Sequence, residues 1–107
     1  MCDHCLMQAR QTTALIVDDH PSFRRFARKL LEAAEFAVVG EAEDGASALR
    51  AVRALRPDVV LLDVLLPDMT GFAVARELAE ERERPLVVLT SSRSAADLGA
   101  LVSTDHA

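Results

Sequence analysis

The chain has 107 residues, enough for one domain with a modest core and too few for a second module. Half of the residues are hydrophobic and 27% are charged, which excludes a disordered chain, and a net charge of -5 argues against a nucleic-acid partner. No apolar run reaches transmembrane length and the start, MCDHCLMQARQ, lacks the apolar core of a signal peptide, so the cytoplasm is expected and a membrane partner is not.

Residues 1–13 read as a flexible tail before a single domain over 14–107. Cys2 and Cys5 flank His4 in a C-x-x-C, the spacing of half a zinc site. No second half accompanies it, since His20 and His106 are the only other histidines, and free thiols on a frayed tail are the preferred reading.

Ala14, Leu15, Ile16 and Val17 then form a short apolar run, a strand pattern, that ends in Asp18 and Asp19. Behind His20, Pro21 and Ser22, the residues Phe23, Phe26, Ala27, Leu30, Leu31 and Ala34 recur at helical spacing, an amphipathic helix entered through proline. Arg24, Arg25, Arg28 and Lys29 fall on its outer part, as a solvated face does. Ala37, Val38 and Val39 make a second strand that leaves through an acidic loop, Glu41, Glu43 and Asp44. Ala48, Leu49, Val52 and Leu55 mark a second helix, which Pro57 terminates.

The run from Val59 to Leu62 reads as a strand buried on both faces, with Asp63 as its last side chain. Pro67 and Gly71 punctuate the loop beyond it, Asp68 is expected to shape the turn in solvent, and Thr70 is placed to cap a third helix. The inward positions of that helix are read as Phe72, Ala75, Leu78 and Ala79. After Pro85, Leu86 to Leu89 form a fourth strand closed by Thr90, with Ser91 and Ser92 as loop caps. Ala95, Ala96, Leu98, Leu101 and Val102 suggest a last helix broken near Gly99.

Strands alternating with helices across short connections give an α/β fold, a parallel sheet with helices on its faces. All strands then point one way, so Asp18, Asp19, Asp63 and Thr90 emerge along one edge, where open α/β sheets bind ligands. Carboxylates grouped there repel one another unless a cation joins them, and oxygen donors suit a hard ion such as Mg2+. With their charge neutralised, Asp63 on the central strand becomes the candidate nucleophile toward phosphorus, and Thr90 a hydroxyl donor to a phosphoryl oxygen. Helix capping by Asp18 and Asp19 is the bland alternative, and the third acid on another strand weighs against it.

LIVDDH at 15–20, DVVLLDVLLPDMTG at 58–71 and VVLTS at 87–91 together resemble the receiver domain of two-component response regulators, over about Ala14 to Val102. The resemblance implies a flavodoxin-like fold with four strands ordered 2-1-3-4. It further implies Asp63 as phosphoacceptor, Asp19 as a direct Mg2+ ligand, Asp18 as a ligand through water, the Leu65 carbonyl as a further metal ligand, and Thr90 as a switch hydroxyl. The implied phosphoryl donor is a phosphohistidine on a sensor histidine kinase or phosphotransfer protein, and no enzyme activity beyond self-dephosphorylation is expected.

Such receivers continue into a fifth strand that ends in lysine, and then a fifth helix. Lys29, the one lysine of this chain, stands in the first predicted helix, so a C-terminally truncated receiver is expected. Its fourth strand would be an open edge and one sheet face would be covered by the first helix alone, a surface for a homodimer or another protein. Two rivals come from other classes: a degenerate receiver that binds partners without being phosphorylated, and an aspartate-nucleophile phosphatase. The second needs an acid two places after the nucleophile, where Leu65 stands.

Overall fold

Four apolar runs become the strands of one parallel sheet: β1 (Thr13–Val17), β2 (Ala37–Ala42), β3 (Val59–Asp63) and β4 (Leu86–Thr90). Their order is β2-β1-β3-β4, the order expected from the sequence. Helices α1 (Pro21–Ala33), α2 (Gly45–Leu55) and α3 (Gly71–Leu78) connect them. The computed structural model describes residues 11–91. The Cys2–His4–Cys5 motif, Ser92 and the helix expected over Ala95 to Val102 lie outside the described residues.

Each helix begins and ends for a local reason. α1 starts with proline at its first turn, where a missing N–H costs nothing. α2 opens on a capping box in which the Asp44 carboxylate accepts the Ser47 N–H at 2.8 Å. It closes on Arg56, whose φ of 49° is left-handed, directly before Pro57. Thr70 caps α3, its hydroxyl accepting the Ala73 N–H at 3.1 Å.

The larger core fills one side of the sheet. Leu15, Val17, Val60 and Leu62 meet Ala48, Leu49 and Val52 of α2 and Val74 and Leu78 of α3. On the other side Ile16 meets Phe23 and Ala27 of α1, with Leu31, Val38 and Leu61 against them. Toward β4 that second face thins: Val59, Leu61 and Val88 are half-buried and Leu86 is 65% exposed, the sparse cover expected from the sequence.

Several expectations are corrected. The inward stripe of α3 is Gly71, Val74 and Leu78, while Phe72 is 57% exposed and Ala79 is also exposed. Gly71 presses against the backbone at Asp63, and that contact fixes the helix phase one position away from the one read. In α1, Phe26 and Leu30 stay exposed because the helix meets the sheet along the narrow line of Phe23 and Ala27, and in α2 Leu55 is likewise exposed. β2 continues beyond Val39 to Ala42, because β1 supplies ladder partners as far as Ile16↔Glu41 and Val17↔Ala42. Glu41 is therefore a strand residue, and its carboxylate takes Arg24 Nε and Arg28 Nε, each at 2.9 Å. Those arginines tie α1 to the edge strand rather than forming a purely solvated face.

Candidate functional site

Register brings the expected residues together at the carboxyl edge. Val17 pairs with Leu62, so Asp18 and Asp63 leave neighbouring strands at the same level, and Asp63 itself pairs with Thr90. Asp18 and Asp63 are buried at 0% and 3% exposure, and Thr90 at 1%. Asp19 is more open. Ligand atoms of Asp18, Asp19, His20 and Asp63 all lie within 4.8 Å of one another. A cleft of about 440 Å³ opens beside them, lined by Asp19, His20, Asp63, Leu65, Leu66, Pro67 and Ser91.

The side chains in this cluster are held by short-range bonds. Asp18 Oδ1 accepts the His20 backbone N–H at 2.8 Å and lies 3.0 Å from His20 Nδ1. The α1 N-cap is His20, and it makes no side-chain capping bond, so the acid pair does not serve as the helix cap. Asp63 Oδ1 accepts the Leu65 N–H at 3.3 Å, and the Val64 N–H donates to the Thr90 carbonyl at 2.9 Å. Two oxygens, Asp18 Oδ2 and the Thr90 hydroxyl, are buried with no hydrogen-bond partner. A buried oxygen left so costs about 1–3 kcal/mol, and both of these occur at one sheet edge.

Electrostatics follow from that crowding. Burial pushes the Asp63 carboxyl above the ordinary carboxylate range, and the charges of Asp18 and Asp19 push the same way. The Leu65 N–H and His20 partly offset the rise. The hydrogen bond to Asp18, then the charge of Asp19, raises the His20 imidazole above its usual value.

All of the side chains singled out in the sequence, Asp18, Asp19, Asp63 and Thr90, stand at this edge. Leu65 lines the cleft and donates its N–H to Asp63. Three residues were missed. His20 enters the acid cluster, and its place directly after Asp19 was the available signal. Ser91, expected as a loop cap, lines the cleft. Asp68 is exposed, as expected, but it also accepts the Gly45 and Ala46 N–H groups at 2.7 and 2.9 Å, and those bonds hold its carboxyl below the usual range. It clamps the loop after Asp63 to the start of α2, a contact across 23 residues that no local pattern announces.

The profile of the response regulator receiver domain matches residues 14–105. A protein-glutamate methylesterase/protein-glutamine glutaminase of Hahella chejuensis is 42% identical over 83 residues, covering 78% of this chain and 24% of that protein. The DNA-binding response regulator MtrA of Mycolicibacterium smegmatis is 42% identical over 94 residues, covering 86% of this chain and 40% of its own. The chain thus spans less than half the length of either relative. Among solved structures, the signal receiver domain of the response regulator NarL from Mycobacterium tuberculosis superposes with a TM-score of 0.69 at 37% identity, covering 88% of this chain and 77% of that one. A CheY-like receiver domain from Methylobacillus flagellatus gives 0.72 at 28% identity, over 89% and 80%.

Proposed function

The chain belongs to the response regulator receiver domain family, and from that premise we propose that it takes a phosphoryl group onto Asp63 in a phosphorelay, from a phosphohistidine on a sensor histidine kinase or phosphotransfer protein. The observation that carries the reading is the buried Asp63, paired in register with Thr90 and grouped with Asp18 and Asp19 beside an open cleft.

The donor set fits a divalent cation, because its groups are oxygen-rich and the buried Asp18 Oδ2 has no hydrogen-bond partner. Asp18, Asp19, Asp63 and the Leu65 carbonyl would hold Mg2+. When bound, the ion supplies the positive charge that lets several carboxylates and a phosphoryl group share one site. In the transfer, an Asp63 carboxylate oxygen forms a bond to phosphorus as the donor's N–P bond breaks. The departing imidazole keeps the electron pair and takes up a proton from water. The Leu65 N–H orients the nucleophilic carboxylate. The buried Thr90 hydroxyl, without a hydrogen-bond partner of its own, donates to a phosphoryl oxygen.

Intact-mass analysis after incubation with acetyl phosphate and Mg2+, beside Asp63→Asn, tests the reading. A phosphate-sized gain in the wild type that the variant lacks is expected. A folded wild-type sample that gains nothing overturns it.

A further inference from the structure

We propose that His20 is a ligand of the cation in this site and that it moves the site's preference from Mg2+ toward cations that accept nitrogen, Mn2+ foremost. This rests on the metal site of the reading above and adds a donor to it.

His20 Nδ1 lies 3.0 Å from Asp18 Oδ1 and 3.1 Å from Asp19 Oδ1. These are a hydrogen bond and an ion pair, and they already hold the three atoms at the spacing of about 3.0 Å that neighbouring donors take around an octahedral ion with bonds of about 2.1 Å. Opposite donors are about 4.2 Å apart by the same arithmetic, so the set of four, which lies within 4.8 Å, needs to close by a few tenths of an ångström around the ion. The imidazole side chain is 59% exposed and gives the N-terminus of α1 no capping bond, so an entering ion can reach it. Asp18 Oδ2, wholly buried at the same edge with no hydrogen-bond partner, is an independent sign that a cation belongs here.

Chemistry then sets the preference. Mg2+ prefers oxygen and sheds water reluctantly, whereas imidazole suits first-row transition ions. Mn2+ keeps the carboxylate affinity of a hard ion and still takes a nitrogen ligand, so three carboxylates with one imidazole favour it. Zn2+ is a poor probe of this site because Cys2 and Cys5 offer it competing thiolates.

The test is titration calorimetry of the full chain with MnCl2 and, separately, MgCl2 at pH 8, for wild type and His20→Ala, joined to pulsed EPR of the Mn2+ complex. Wild type is expected to bind Mn2+ at least about tenfold more tightly than Mg2+, with nitrogen modulation from a directly bound imidazole. H20A is expected to weaken Mn2+ by about tenfold or more, to leave Mg2+ within about threefold, and to abolish the modulation. Absence of nitrogen modulation in the wild-type complex overturns the proposal whatever the variant does, as does equal Mn2+ affinity in the two proteins. Mg2+ binding that ignores the substitution while the modulation is missing removes His20 alone. Failure of wild type to bind either cation removes the metal site of the phosphoacceptor reading as well.

Discussion

Gly71→Ala sets two physical effects against each other at the site. Alanine favours a helix over glycine by up to about 1 kcal/mol, and Gly71 opens α3 without a left-handed φ, so propensity alone makes the variant more stable. Packing says the reverse. A Cβ on Gly71 would strike the Asp63 carbonyl oxygen and stand 3.0 Å from both the Asp63 carbonyl carbon and Val64 Cα. These are backbone atoms at the end of the strand that carries Asp63, and they cannot swing aside as the end of a side chain can. Overpacking of this kind costs about 1–3 kcal/mol, so the net expectation is a loss of about 1–2 kcal/mol and a melting temperature lower by about 5–15 °C. The Gly71 N–H bond to the Val64 carbonyl, 2.7 Å, stretches as the helix is pushed off, and the Asp63 loop moves with it. Urea and thermal denaturation read the stability, and phosphate uptake from acetyl phosphate, measured on folded protein, reads the site. A variant as stable as wild type would show that propensity outweighs the contact and that the account of the α3 phase is wrong.

Two further substitutions probe the ties between the site and its surroundings. Burial pushes the Glu41 carboxyl up, but hydrogen bonds from Arg28 and Arg24 outweigh it and hold the group below its ordinary value. A carboxylate depressed in the folded state stabilises fully above its unfolded value and loses that contribution as the pH falls through its folded value. Glu41→Gln should therefore cost about 0.5–1 kcal/mol at neutral pH by urea denaturation, with the gap closing in acid; a gap constant into acid would deny the ion pairs their role. Asp68→Ala removes the acceptor of the Gly45 and Ala46 amides, so hydrogen exchange at those two amides should quicken while exchange at Val60, buried in the central strand, stays as in wild type. Unchanged exchange at Gly45 and Ala46 would mean that water serves these amides as well as the carboxylate does.

The strands were legible because central parallel strands, buried on both faces, write themselves as unbroken apolar runs. That pattern located Asp18, Asp63 and Thr90 at the strand ends, and parallel direction alone placed them on one edge. What stayed hidden was set by contacts between distant residues. Phe72 outranks Val74 in bulk, yet Val74 faces the core because Gly71 must sit on the Asp63 carbonyl. Glu41 looked like the start of an acidic loop because its arginine partners stand 17 and 13 residues away. His20 gave a weak signal for another reason: a single histidine after two acids has no periodicity to measure, and its membership of the cluster depends on the turn that folds it back onto Asp18.

The same contacts explain why the site can be both costly and well held. Asp18, Asp63 and Thr90 bury polar groups directly above an apolar sheet, and two of their oxygens lack partners, so the edge is the least satisfied part of the described fold. It does not spread apart, because the elements around it are fastened separately. Arg24 donates to the Asp18 carbonyl at 2.6 Å and to Glu41, which fixes α1 and β2 to one end of the acid cluster. Asp68 fixes the start of α2 to the loop after Asp63, and Gly71 seats α3 on the carbonyl of Asp63 itself. Any shift of the segment from Asp63 to Leu65 must therefore break or carry with it contacts to α2 and α3. A charge added at Asp63 acts on a segment already joined to two helix starts, which is the mechanical condition for a local modification to be felt at the surface.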